Sequence, residues 1–319
     1  MSSILDVQNL TTHYQTVRGW VRAVEGVSFS VEMGKALGIA GESGCGKTTV
    51  ALSLLKILPR GGRIRKGSII FDGTDLVPLS DNEMRKIRWK GISIVFQGAM
   101  NAFNPVFKVS DQIIEAIQLH EKDVDKKTAM ERARSLFELV GVEPDRVDNY
   151  PHEFSGGMRQ RALIAMALAS NPKLLVADEP GTALDVIVQA QTLKLMRDLK
   201  DRLGLAMVMI SHDLSIIAET CEKVAIMYAG RIVEYGDAEA IFKEPLHPYT
   251  QGLVKAFPSV KGERIRLTSI PGSPPDLLNP PSGCRFNPRC PYVMDVCKTE
   301  VPPLEKAGKG EHLVACHLY

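Results

Sequence analysis

Gly41-Glu42-Ser43-Gly44-Cys45-Gly46-Lys47-Thr48 decides the fold of this 319-residue chain. The eight residues satisfy G-x-x-x-x-G-K-[ST], in which the glycines let the backbone curl until successive N–H groups face an anion. Upstream, Ala36-Leu37-Gly38-Ile39-Ala40 is a short apolar run that reads as a buried strand, and Thr49 to Leu55 reads as a helix. A strand, a glycine-rich turn and a helix N-terminus are the context a phosphate-binding loop requires. The pattern assigns Gly41, Glu42, Ser43, Gly44, Cys45, Gly46, Lys47, Thr48 and Thr49 to the cradle of a nucleoside triphosphate. Lys47 is expected to reach the β- and γ-phosphates, and the Thr48 hydroxyl to ligate Mg²⁺. A plain glycine-rich turn would leave Lys47 unexplained.

The length suits one full α/β domain with an appendage. With 39 basic and 37 acidic side chains the formal charge is +2, which argues against a chain-wide polyanion surface and so against direct nucleic-acid contact. No run comes near the roughly 18 consecutive apolar residues of a spanning helix. Met1-Ser2-Ser3-Ile4-Leu5-Asp6 lacks a basic and then apolar leader, so no signal peptide and a cytoplasmic location are expected. Of six cysteines, Cys284, Cys290, Cys297 and Cys316 fall within the last 36 residues, a crowding that suggests a metal or cluster site rather than disulfides in a reducing compartment.

Along the chain, Ile4 to Tyr14 and Val24 to Val31 read as antiparallel strands, Gly67 to Asp72 as a short strand closed by an Asp-Gly turn, and Ile92 to Phe96 as a strand ending at Gln97. Ser110 to Leu139 carries a helical pattern with a strongly polar stretch at 120–128. Helix is expected over Ser155 to Ala169, Val186 to Arg202 and Leu214 to Cys221, and strand over Leu174 to Ala177, Leu205 to Ile210 and Val224 to Tyr228. Gly230 to Gly236 reads as a hairpin. Five prolines between 271 and 281 exclude regular helix or central strand there.

The strand Leu174-Leu175-Val176-Ala177 ends in Asp178-Glu179. Asp178 fits a carboxylate that holds Mg²⁺, and Glu179 is placed to orient or deprotonate an attacking water. The pair could instead begin a helix after a strand, as Pro180 would allow; the upstream phosphate loop favours the metal and base roles.

Phe154-Ser155-Gly156-Gly157-Met158-Arg159-Gln160-Arg161, 23 residues ahead of Asp178 counting from Ser155, resembles the signature motif of ATP-binding cassette (ABC) ATPases. That family usually has Leu where Phe154 stands. The resemblance implies that Ser155, Gly156 and Gly157 meet the γ-phosphate held by a second subunit's P-loop, in a head-to-tail dimer that sandwiches two ATP. Tyr14 is similar to the aromatic that stacks on adenine, although it could be a core residue at a strand end. Gln97 resembles the glutamine that senses the γ-phosphate and Mg²⁺. Ala183-Leu184-Asp185 resembles the loop that crosses the dimer interface, and His212 resembles the histidine that contacts the γ-phosphate. Gly181 departs from the Thr or Ser usual after Asp-Glu-Pro, a change that bears on the stiffness of that loop.

The implied fold is α/β: a P-loop NTPase of the ABC ATPase type, with a RecA-like core, an antiparallel β subdomain and an inserted helical subdomain at about 98–170. This nucleotide-binding domain is expected over 1–243, with a loop-rich extension over 244–319. The implied mechanism uses Lys47 and Mg²⁺ (on Thr48, Asp178 and Gln97) to neutralise phosphate, Glu179 as base, and Gln97 and His212 to complete the site. Chromosome and break-repair relatives carry a coiled-coil insertion, and translation and excision-repair relatives two cassettes; neither is seen here, which favours a transporter subunit over one acting on nucleic acid or ribosomes.

Pro245-Leu246-His247-Pro248-Tyr249-Thr250-Gln251-Gly252-Leu253, Ile270 to Pro275 and Cys284-Arg285-Phe286-Asn287-Pro288-Arg289-Cys290-Pro291 resemble the dipeptide, oligopeptide and nickel importer subfamily. The resemblance implies two permeases, an external solute-binding protein, a paralogous ATPase partner (alternatively a homodimer), and a peripheral place on the cytoplasmic face of the membrane. Di- or oligopeptides are the implied solute, with cello- or manno-oligosaccharides or nickel as alternatives. Spacers of five, six and eighteen residues separate the four cysteines. Four thiolates suit a [4Fe–4S] cluster or zinc, free or disulfide-linked cysteines remaining possible; the resemblance implies the cluster, in a structural role.

Overall fold

The structure, a computed structural model, describes residues 3–98, 102–182, 184–256, 270–308 and 310–319. The chain divides into two compact units. One comprises residues 3–32, 36–78 and 209–319; the other is built mainly from residues 79–208.

In the first unit, strands Ser3–Thr16, Gly19–Glu32, Gly62–Phe71 and Thr74–Asp75 form an antiparallel sheet with Ser3–Thr16 between Gly19–Glu32 and Gly62–Phe71. Along it Val7 and Leu10 are buried between the more exposed Asp6, Gln8, Asn9 and Thr11. The same unit holds Ala36–Ala40, buried at every position, paired in parallel with Lys223–Tyr228. Short parallel strands covered on both faces need continuous apolar sequence, which this one has. Lys223–Tyr228 turns back into Arg231–Asp237 through Ala229 and Gly230, both left-handed (φ 46° and 85°). The expected hairpin within 230–236 is therefore corrected: Gly230 belongs to the turn and 231–237 is its second strand. A two-residue turn with both φ positive matches the twist of the flanking strands.

In the second unit Ile92–Val95 pairs in parallel with Leu174–Asp178, alongside helices Asp81–Ile87, Val109–His120, Lys126–Leu139, Gly156–Ala167 and Val186–Leu203. The helical pattern over 110–139 resolves into two helices, Val109–His120 and Lys126–Leu139. Asp125 caps the second by accepting the Thr128 N–H at 2.8 Å, and Glu121 is tied to Arg132 by two hydrogen bonds of 2.6 and 2.9 Å. A capping aspartate inside a polar stretch starts a new helix rather than continuing the old one. The boundary between the units falls within the strand Ala206–Ser211.

The extension is in the first unit. It adds a helix, Pro248–Lys255, with proline at its first position, where no N–H is needed. Glu234, fully buried, fastens the region: its carboxylate accepts the N–H groups of Leu246 and His247 at 2.8 and 3.0 Å and lies 2.6 Å from His312 Nε2.

Candidate functional site

The phosphate-loop residues lie between Ala36–Ala40 and the helix Lys47–Leu54. Gly41 (φ 151°) and Gly46 (φ 108°) hold backbone shapes that side chains disfavour. A Cβ at Gly41 would lie 2.2 Å from the Met227 carbonyl oxygen, and one at Gly46 the same distance from that of Ala23. The curl is thus enforced from outside as well as permitted from within. Lys47 is buried, and its ammonium donates to the carbonyls of Gly41 and Glu42 at 2.7 and 3.0 Å. This fixes its head inside the loop's arc. Thr48 and Ser43 are exposed. Burial holds the Cys45 thiol above its ordinary pKa against the pull of Lys47, so it is a neutral spacer. Tyr14 donates its hydroxyl to Thr49 Oγ1 at 3.3 Å, which puts the expected adenine-stacking aromatic against the helix that starts at Lys47.

Sequence reasoning missed what grips this loop. Arg289, in the cysteine-bearing run, donates from both Nη atoms to the Glu42 carboxylate at 2.7 and 3.0 Å. Its side chain is only 5% exposed, and pairing with Glu42 raises its pKa. The Glu42 N–H donates to Tyr249 Oη at 2.9 Å, and Tyr249 packs among Tyr228 and Phe286 with ring centroids 4.6 and 5.5 Å away. Gly230 N–H donates to the Cys45 carbonyl at 2.8 Å. An arginine within a cysteine-rich run and a tyrosine in a Pro-Tyr pair carry no local mark of such a role.

In the other unit, Asp178 is buried at the end of its strand. Glu179 follows with φ 48°, a left-handed shape for a non-glycine residue. Its Oε2 accepts from Gln97 Nε2 at 2.9 Å and from Thr182 Oγ1 at 3.0 Å. Gln97 and Glu179, 82 residues apart, are thus brought together, with Thr182 a third member. Gly181 presses on Gln189: a Cβ there would lie 2.6 Å from Gln189 Cγ. Ala183 lies outside the described residues. Leu184 N–H donates to the Gly181 carbonyl, and Asp185 caps Val186–Leu203 by accepting the Val188 N–H at 2.9 Å.

Ser155 caps Gly156–Ala167 by accepting the Met158 N–H at 3.3 Å, so Gly156 and Gly157 form the helix's first turn. A Cβ on Gly157 would sit 2.7 Å from Val188 Cγ1. Phe154 is buried edge-on to Phe137 at 6.1 Å, so the larger ring has a partner that accommodates it. His212 is exposed directly after Ala206–Ser211, and Asp213 caps the helix that follows.

Cys284, Cys290, Cys297 and Cys316 line one small void, and none is in a disulfide. Burial pushes the Cys284 thiol up to about 11, with the other three cysteines adding to the shift. Among the described residues no group of three or more His, Cys, Asp or Glu is placed to hold a metal ion.

Residues 24–182 match the ABC transporter family, and residues 233–297 match the oligopeptide/dipeptide transporter C-terminal region. A probable peptide ABC transporter ATP-binding protein of Sinorhizobium fredii is 48% identical over 317 residues, which cover 98% of this chain and 94% of that protein. The oligopeptide transport ATP-binding protein of Bacillus subtilis is 48% identical over 318 residues, 98% of this chain and 88% of that one. Among solved structures, a dimeric ATP-binding cassette in a post-hydrolysis state with ADP and phosphate superimposes with a TM-score of 0.66 at 25% identity, covering 73% of this chain and 98% of that one.

Proposed function

Because this chain belongs to the ABC transporter ATP-binding proteins of the oligopeptide/dipeptide type, we propose that its ATP hydrolysis powers the import of di- or oligopeptides through partner permeases. The observation that carries the reading is the union, in one chain, of a phosphate loop with a peptide-transporter extension that grips it through Arg289 and Tyr249.

The loop N–H groups and Lys47 bind the triphosphate, with Tyr14 against adenine. Thr48, Asp178 and Gln97 are hard oxygen donors that fit Mg²⁺, which supplies charge neutralisation at the β- and γ-phosphates when bound. Glu179 takes the proton of the attacking water. Gln97 and Thr182, both donating to Oε2, fix the carboxylate's orientation. His212 contacts the γ-phosphate. Ser155, Gly156 and Gly157 offer a capped helix start to the nucleotide of a second, paralogous ATPase subunit, and Asp185 lies at that interface. Two permeases and an extracytoplasmic solute-binding protein complete the system, with this chain peripheral on the cytoplasmic face of the membrane. Among the described residues no helix is long and apolar enough to cross a membrane.

The four cysteines are proposed to hold a [4Fe–4S] cluster. The donors are all thiols, all free and all around one void. Such a group would cross-link an extension poor in regular structure. Anaerobic purification should yield brown protein containing iron and acid-labile sulfide; colourless protein without iron would reject the cluster.

The import reading is tested by reconstituting the chain with its permeases and solute-binding protein in vesicles. A mixed peptide library should stimulate ATP hydrolysis and enter the vesicles. Stimulation by oligosaccharides or nickel but not by peptides would replace the solute, and tight ATP-dependent binding to DNA or ribosomes without coupling to the permeases would replace the class.

A further inference from the structure

A cavity of about 680 Å³ lies among the first two strands, the Tyr228–Val233 region and the extension. That volume is in the range of small-ligand sites. Among the described residues its charged lining is five cationic side chains, Arg22, Arg65, Lys66, Arg231 and Arg285, against one carboxylate, Glu25. The cavity is separate from the phosphate loop. Alternate residues of Ser3–Thr16 face opposite ways: Thr12 and Tyr14 bond to Ser53 and Thr49 of the Lys47–Leu54 helix, whereas Thr11 and His13 line the cavity.

Glu25 is heavily oversubscribed. Its Oε2 accepts from Arg231 Nη2 at 3.2 Å and from Arg285 Nη2, while its Oε1 lies 4.0 Å from Arg22 Nη1 and 3.6 Å from His13 Nε2. The side chain of Arg285 is only 4% exposed. Burial depresses its pKa to about 10, and Arg231 and Arg22 push the same way against Glu25. Burial also lowers the pKa of His13, with Arg22, Arg65 and Arg285 adding to the shift against the pull of Glu25. One carboxylate thus serves a ring of guanidiniums that repel one another and remain under-neutralised. Arg65 is held over the Trp20 ring at 4.8 Å, which presents its planar fork in a set orientation.

We propose that this cavity is a second, non-catalytic site that binds a small multivalent oxyanion, a molecule bearing two or more phosphate or carboxylate groups. Guanidinium forks pair bidentately with both groups, and a multivalent anion would supply the negative charge that Glu25 alone cannot.

Calorimetric titration tests this on the full chain with the phosphate loop saturated by Mg²⁺ and a non-hydrolysable ATP analogue. Inorganic pyrophosphate and citrate are the separate probes, so the two arms distinguish phosphate from carboxylate chemistry. At least one should bind with a stoichiometry of one per chain and weaken with added salt. Arg65→Ser and Arg22→Ser, both at exposed positions, should each weaken that binding about tenfold while leaving ATPase activity unchanged. Failure of both probes to bind at millimolar concentration, or binding that neither substitution weakens, overturns the proposal. Because ATPase activity is followed in parallel, loss of the anion site is distinguishable from loss of the nucleotide site.

Discussion

The phosphate loop and the loop after Asp178 both follow a short buried strand, yet they are fixed by different means. The first is immobilised by shape and charge: carbonyl oxygens stand where side chains on Gly41 and Gly46 would go, a bidentate arginine holds Glu42, and Gly230 anchors the Cys45 carbonyl. The second depends on a left-handed Glu179 and two side-chain hydrogen bonds, a shape that costs on the order of 1–3 kcal/mol and persists only while its surroundings insist on it. A cradle for phosphate must be preorganised, whereas a base must be oriented and able to exchange partners. The difference suggests that damage to the first loop appears in affinity and damage to the second in turnover.

The largest departure should come from Glu179→Gln. Equilibrium ATP binding should stay near wild type while turnover falls by about 10²–10⁴; turnover within a few-fold of normal would remove Glu179 from the base role. Arg289→Ala should act on affinity instead. Loss of a charged hydrogen-bonded partner is worth about 1.5–3 kcal/mol, so the Kd for ATP should rise at least about tenfold with turnover at saturation largely kept. An unchanged Kd would mean that the glycines alone hold the loop.

Acidification should loosen the phosphate-loop side through the extension. His247 is fully buried, accepts the Tyr249 N–H at Nδ1, and has its pKa lowered by burial to about 3 from an ordinary 6.5. The unfolded chain therefore takes up this proton first. The contribution to stability is complete above pH 6.5 and is lost as pH falls from 6.5 towards 3, by about 1.4 kcal/mol per unit. Urea unfolding at pH 7 and pH 5.5 should show the decline, and His247→Asn should flatten it; an identical decline in the variant would assign it to other groups.

Thr182→Val should lower turnover roughly threefold to tenfold by removing a donor to Glu179, at about 0.5–1.5 kcal/mol, with ATP affinity unchanged. A fall in affinity instead would erase the contrast between the loops. The smallest effect is expected for Gly181→Ala. Its new Cβ meets the flexible side chain of Gln189, which can move, so melting should shift by only a few degrees, for about 1 kcal/mol.

What the sequence disclosed follows the same division. Gly41 to Thr48 and Leu174 to Glu179 were readable because phosphate and metal chemistry demand given residue types at short, fixed spacing. The pairing of Gln97 with Glu179 was reachable only through resemblance, since 82 residues separate them. Arg289 and Tyr249 were not readable at all: their partner is 247 and 207 residues away, and nothing local marks a guanidinium or a phenol as a fastener. The helix break near 121–125 and the turn at Ala229-Gly230 were not readable because capping and left-handed turns depend on single residues inside patterns that otherwise run on.

The Arg289–Glu42 pair has a consequence for how such chains diverge. Two positions near opposite ends of the polypeptide form one functional unit, so neither can drift alone. A chimera that joins this phosphate loop to another chain's extension would inherit half of a matched pair. Compatibility between the ends should be restored only when position 42 and the residue facing it are exchanged together.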